Sequence, residues 1–276
     1  MKPSHDEIGV GATEDLNLRV SVATLVSVLF ENPNDGDSML ALERRATVHR
    51  TERGPVVEVK SQPFGGALRI RNLSTLRGLI GDFRFDSEKS RVERDFRILI
   101  RPSDWSTVRE FCIQHLNRMD DPILETGPER ELAEEFADAL NTSLKLDHYT
   151  HRPLAIVVEG TPAPTGNIHA RGIPTARICR VFEAHISDTS LACAIMTSSE
   201  SHSDQDLHDL ALQDVQSGGS GRANAILALP LKRISAAYQA MRPEERNAPI
   251  YFEKNRLDET VVTVLEGINA PRYQKL

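Results

Sequence analysis

Apolar and polar positions alternate with two different periods along this chain, and the switch between them marks out its elements. Leu18 to Phe30 is valine-rich with a weak two-residue alternation, which predicts a strand. Asn32-Pro-Asn-Asp-Gly-Asp37 is a strong turn, and Met39 to Val48 is expected to return as the second strand of a hairpin. Val56 to Lys60 and Ala67 to Ile70 are further strand candidates on either side of a Pro63–Gly66 turn, with a short helix expected over Leu73 to Ile80. Arg94 to Ile100 reads as a strand with Phe96, Ile98 and Ile100 on one side. Ser103 or Asp104 can then cap a helix to about Leu116, whose Val108, Phe111, Cys112 and His115 share a face.

The period is clearest over Glu125–Leu140. Thr126 can cap a helix there, with Glu129 closing the box and Pro128 tolerated in the first turn. At 100° per residue, Leu132, Phe136, Ala139 and Leu140 form an apolar stripe that demands burial. Glu131, Glu134, Glu135 and Asp138 crowd the neighbouring face. Like charges three and four residues apart repel, so this face costs helix stability unless solvent or a cation neutralises it. Carboxylates at that spacing suit Mg²⁺ or Mn²⁺, which take a few oxygen ligands and keep waters for substrate phosphates.

Downstream, Leu154 to Val158 and Ala176 to Ile186 read as strands, and Ala192 to Met196 as a weaker strand or a helix start. Ser203 to Val215 predicts a helix, Gln216 to Arg222 a Gly-rich loop, and Ala225 to Leu229 a strand. Leu231 to Met241 is expected to be helical beyond Pro230, and Asp258 to Ile268 a final helix or strand–helix piece. Strands and helices that mix without strict alternation predict an α+β chain or an α/β/α sandwich with a mixed sheet. The expected organisation is a loose arm over 1–15 and a single domain over 16–276, with a helical extension from about 231.

Composition narrows the partners. A chain of 276 residues can bury about three quarters of its extended surface, enough for one large core or two modest ones. Acidic residues outnumber basic ones 40 to 33, giving a formal charge of −7, which argues against a broad nucleic-acid or anionic-membrane surface. Cys112, Cys179 and Cys193 form no close pair, which excludes a CxxC zinc module and suits a reducing compartment. Without an apolar leader or a membrane-length run, the expected location is cytoplasmic. A homo-oligomer is compatible with the sequence.

Arg130-Glu-Leu-Ala-Glu-Glu135 resembles the Arg-Glu-apolar-X-Glu-Glu core of the Nudix box, found in hydrolases of nucleoside diphosphates linked to another group. Pro63-Phe-Gly-Gly66 is similar to the Pro-Gly-Gly turn that opens that family's conserved region, with Phe64 intervening, and Leu18–Leu29 with Met39–Arg45 is similar to its first hairpin. The resemblance implies a Nudix-like α/β/α sandwich, into which 67–124 is inserted as a strand–helix segment. It implies that Glu131, Glu134 and Glu135 bind Mg²⁺ or Mn²⁺ and that Arg130 orients a carboxylate. Glu183 is the expected additional metal carboxylate, and Arg44 and Arg45 the expected contacts to substrate phosphate. The chain departs from the pattern in three places: the insertion itself, Glu125 closer to Arg130 than the family has it, and Ala137 where a glycine is expected.

The implied activity is metal-dependent hydrolysis of a nucleoside diphosphate-linked or related pyrophosphate, with a small phosphorylated molecule as partner. The alternatives are a Nudix-like ligand-binding or protein-interaction module without turnover, and an unrelated α+β protein whose acidic helix is a solvated face. Arg152, in the loop Asp147-His-Tyr-Thr-His-Arg152, could grip a phosphate through its planar fork. His169, Arg171 and Arg177 flank a Gly/Pro-rich loop over 160–174, and Gly218-Gly-Ser-Gly221 could form an anion nest. No Walker loop, Gly-X-Ser-X-Gly elbow, His-Glu-X-X-His pair or Gly-X-Gly-X-X-Gly turn is present.

Overall fold

In the computed structural model, residues 16–52, 54–159, 161–164, 172–242 and 250–269 are described. Their elements run β1 (Leu18–Glu31), β2 (Ser38–Thr51), β3 (Gly54–Gln62), β4 (Phe64–Ala67), α1 (Leu73–Ile80), β5 (Arg84–Phe85), α2 (Glu88–Glu93), β6 (Arg97–Ile100), α3 (Trp105–Leu116), α4 (Glu129–Leu140), β7 (Tyr149–Val158), β8 (Ala163–Pro164), β9 (Pro174–Ile186), α5 (Thr189–Ser201), α6 (Asp204–Gln216), β10 (Arg222–Pro230), α7 (Leu231–Ala240), β11 (Ile250–Phe252), β12 (Asn255–Leu257) and α8 (Thr260–Asn269). The class is mixed α+β with a mixed sheet. The expected arm over 1–15 lies outside the described residues. The described residues divide into two compact units: those within 16–23, 67–126 and 158–179 form one, and those within 24–66, 127–157 and 180–269 the other.

In the first unit the start of β1 pairs antiparallel with β6, which pairs with β5 in turn. Phe96, Phe111, Leu99 and Val108 are buried here, with the Phe96 and Phe111 rings 6.4 Å apart. Arg19 donates to Asp86 at 2.8 Å in the interior. Asp121 is fully buried: it accepts the backbone N–H groups of Ile123 and Leu124 at 2.9 Å and pairs with His115 at 2.8 Å. The stretch 67–124 therefore has the apolar faces expected of it, but its strand is shorter than predicted. Arg94 adopts a left-handed conformation that closes α2, so β6 starts only at Arg97. Arg69 and Ile70 make isolated bridges, to Asp95 and Leu124, rather than a strand.

In the second unit β2 is the organising strand. Its outer edge pairs antiparallel with β10 from Met39 to Thr47. Its other edge is shared, first by β1 opposite Ser38–Ala41 and then by β3 opposite Glu43–Thr51. β12 adds to β3 in parallel and β11 to β12 antiparallel, so the sheet is mixed. Successive side chains of a strand point to opposite faces. Met39 and Ala41 accordingly join a core with Leu132 and Phe136 of α4 and Leu191 and Ile195 of α5. Leu40 and Leu42 join another with Ile234 of α7 and Val261 and Leu265 of α8. Helices thus cover both faces of this part of the sheet.

Among the described residues β10 has one strand partner, and the N–H groups of Ile226 and Ala228 go instead to α5, onto Ser198 Oγ at 3.0 Å and Ser199 Oγ at 2.9 Å. Ala192–Met196 lies wholly inside that helix. No helix among the described residues is long and apolar enough to cross a membrane.

Candidate functional site

The acidic helix forms where its pattern places it, with different ends. Pro128 rather than Thr126 holds the N-cap position, and Thr126 gives its hydroxyl to the Met119 carbonyl at 3.0 Å. Asn141, in the left-handed region, ends the helix by donating its N–H to Ala137 O. Leu132 and Phe136 are buried, and the Phe136 ring stacks on Phe64 at 4.7 Å between centroids. That stack lays β4 against the acidic face of α4; Gly65 and Gly66 lie in this strand, paired with β1, where the sequence predicted a turn.

Two glycines make the contact possible. Gly65 sits at φ +130°, and a Cβ there would lie 2.0 Å from the Thr24 carbonyl oxygen, so a side chain cannot be accommodated. Its N–H donates to Glu135 Oε2 at 2.6 Å. A Cβ on Gly66 would meet the Glu131 carboxylate at 2.2 Å, which places that carboxylate directly over the glycine backbone. These glycines and the helix are separated in sequence by the whole of 67–124, and they meet all the same.

β2 supplies the facing charges. Glu43 and Arg45 follow Met39 and Ala41 on the α4 side of the strand. Glu43 is completely buried; it accepts Gln62 Nε2 at 2.9 Å and Arg45 Nη2 at 2.6 Å. The same Arg45 nitrogen lies 3.8 Å from Glu135 Oε1. Burial first, then the charge on Glu43, push the Glu135 carboxyl well above the usual carboxylate range, and Glu131 adds to this while the Gly65 N–H and Arg45 oppose it. Burial works against the Arg45 guanidinium, but Glu43, Glu135 and Asp138 together raise it. Two side chains here, Glu43 and Gln62, carry no motif. The signal in the sequence is a lone glutamate at an inward strand position after Met39 and Ala41.

The other candidate residues lie as follows. Glu134 is 58% exposed and pairs with Arg130 at 3.2 Å, and Arg130 also holds Glu131. Arg44, on the opposite face of β2, is buried; it binds Asn255 Oδ1 at 2.7 Å and the His202 carbonyl, with Asp204 at 3.6 Å. Arg152 and Glu183 pair with each other at 2.8 Å on neighbouring strands. The structure therefore brings Glu131, Glu135 and Arg45 together and turns Glu134 outward. Arg177 pairs with Glu159 at 3.0 Å, whereas His169 and Arg171 lie outside the described residues. The Gly218–Gly221 turn already holds an anion of its own, because Asp214 Oδ2 accepts the Gly221 N–H at 2.7 Å.

Among the described residues, no three His, Cys, Asp or Glu side chains stand close enough to hold a metal ion. Glu43, Glu131 and Glu135 offer carboxylate oxygens, the donor type that a hard divalent cation takes, but Arg45 already stands beside Glu43 and Glu135. No protein-family model, curated protein or solved structure matches this chain.

Proposed function

We propose that the chain is a Nudix-like hydrolase that cleaves a nucleoside diphosphate-linked or related pyrophosphate with the help of Mg²⁺ or Mn²⁺. The reading is supported by one observation: Gly65 and Gly66 of β4 lie against Glu135 and Glu131 across the intervening 67–124 stretch. A solvated acidic helix would have no reason to press its carboxylates onto a glycine pair. Glu131 and Glu135 are the proposed cation-holding groups, with Glu43 beside them. When bound, the ion supplies counter-charge for the pyrophosphate oxygens and acidifies water. Gln62 fixes one oxygen of Glu43, and Arg130 steadies Glu131.

A screen of nucleoside triphosphates, sugar nucleotides and dinucleotides with Mg²⁺ and Mn²⁺ tests this reading. Turnover is expected for one class and should fall at least about a hundredfold in Glu135→Gln. An unchanged rate in that variant would reject the site. A second reading, a ligand-binding module without turnover, is favoured by Arg45, which already stands between Glu43 and Glu135. Cation binding in a chain that hydrolyses nothing in the screen would select it.

A further inference from the structure

The hairpin at the end of the sheet is joined to it through very little backbone. β11 and β12 pair with each other across a two-residue loop, Phe252 opposite Asn255. β12 meets β3 at one paired position, Leu257 opposite Ser61. Among the described residues, nothing from Ile250 to Arg256 adds a rung to the rest of the sheet. From Leu257 onward the chain is fixed. Leu257 is fully buried, and the Asp258 N–H donates to the Ser61 carbonyl at 2.7 Å. The Asp258 carboxylate accepts Lys60 Nζ and the Thr260 N–H, both at 3.0 Å, where α8 begins.

The hairpin itself carries strain and is held by charge. Its two loop residues, Glu253 and Lys254, both take positive φ, +48° and +72°. Hairpin loops of this kind ordinarily use asparagine and glycine, and other side chains there come at a cost. Ile250 and Phe252 are only partly buried against the core beneath, and Tyr251 is 75% exposed. Arg256 pairs with Glu58 of β3, and Glu253 with Arg233 of α7, each of the four side chains at least 35% exposed. Asn255 reaches inward. Its Oδ1 accepts Arg44 Nη2 at 2.7 Å, while its Nδ2 closes the loop by donating to the Phe252 and Glu253 carbonyls at 3.3 Å. Arg44 is buried, with Asp204 at 3.6 Å, and its Nε has no hydrogen-bond partner among the described residues.

We propose that Ile250–Arg256 is a lid on Arg44 that lifts about Leu257 as ionic strength rises. Salt weakens exposed ion pairs, whereas burial and backbone bonds hold the fixed side, so salt releases the first and spares the second. Strain works in the same direction, because an open loop need not keep Glu253 and Lys254 at positive φ. Opening exchanges Asn255 for water at Arg44 Nη2 and brings water to the unmet Nε, so the guanidinium does not oppose it. The lid uses neither Glu131 nor Glu135 and stands apart from the proposed hydrolysis.

Hydrogen exchange of the full chain, read by mass spectrometry at about 0.05 M and about 1 M NaCl, tests the lid. Exchange within 250–256 should be at least about threefold faster at high salt, with 222–230 unchanged. Asn255→Ala should speed it at least about tenfold at low salt, since a bond to a charged group is lost. Lys254→Gly should slow it about fivefold by relieving the loop. Phenylglyoxal, which modifies accessible guanidinium groups, should label Arg44 at high salt and in Asn255→Ala, and spare it in the wild type at low salt. Exchange over 250–256 that ignores both salt and Lys254→Gly overturns the lid. A response to Lys254→Gly without one to salt overturns its ionic control, and an Arg44 that stays unreactive while 250–256 exchanges fast overturns its role as a cover. Should Asn255→Ala fail to fold, the wild type at the two salt concentrations and Lys254→Gly decide the outcome.

Discussion

Asp121 and Glu135 are both buried carboxylates that accept backbone N–H groups, and they end up with opposite acidities. Asp121 receives two N–H bonds and faces His115. Burial disfavours its charge, but the N–H of Leu124, His115 and the N–H of Ile123 overcome this and hold its pKa below the usual range. Glu135 receives one N–H, shares Arg45 with Glu43, and is pushed upward. Burial alone does not distinguish architecture from function. The distinguishing feature is the match between a buried charge and its partners: complete at Asp121, deficient at Glu135 in a way that a cation would correct.

Substitution should separate the two most sharply. Asp121→Ala leaves two buried N–H groups and His115 without their acceptor, and should cost about 3–5 kcal/mol in urea unfolding. Glu135→Gln removes a charge the fold holds poorly, so the metal-free protein should change by less than about 1 kcal/mol, or gain stability. A loss as large as that at Asp121 would abolish the contrast.

The pH profile sharpens it further. A carboxylate with lowered pKa contributes stability above its unfolded value and loses it as pH falls through the folded one, so Asp121 should contribute to the acid limb of a thermal melt series, together with Asp86 and Asp258. For a raised carboxylate, the contribution is full below the unfolded value and is lost as pH rises through the folded one. Wild-type stability should therefore decline from the ordinary carboxylate range upward, and Glu135→Gln should flatten that decline. The smallest effect is expected at Arg152→Ala. Arg152 is 61% exposed in its pair with Glu183, and such pairs are worth under about 1 kcal/mol.

Local periodicity made α4, α6 and α7 legible, because an apolar stripe at helical spacing has few other readings. Ser203, the predicted start of α6, closes a full capping box with Asp206. Arg94 and Thr126 were misleading for a shared reason: each has a competing local bond, the first in a helix cap and the second to Met119, which propensity does not record. Ala192–Met196 has an apolar run short enough for either element, and Asp188, accepting the Leu191 N–H, settles it as helix. At the site, the acidic face was readable and its convergence was not. Glu43 reaches it through strand register and Gly65 through the Phe64–Phe136 stack, both products of long-range pairing.

The hydroxyls of Ser198 and Ser199 bear on how this protein behaves when crowded. An edge strand with open N–H groups is a template on which a second chain can build, and many proteins blunt such edges with charge or proline. Here the blunting comes from a helix, which occupies the donors of Ile226 and Ala228 along β10. The edge is thereby blocked at Ile226 and Ala228, in a stretch from Ala223 to Leu229 that carries no charged residue, so this part of the safeguard does not depend on salt. It lasts as long as α5 stays docked, and partial detachment of that one helix would turn β10 into a seed for polymerisation.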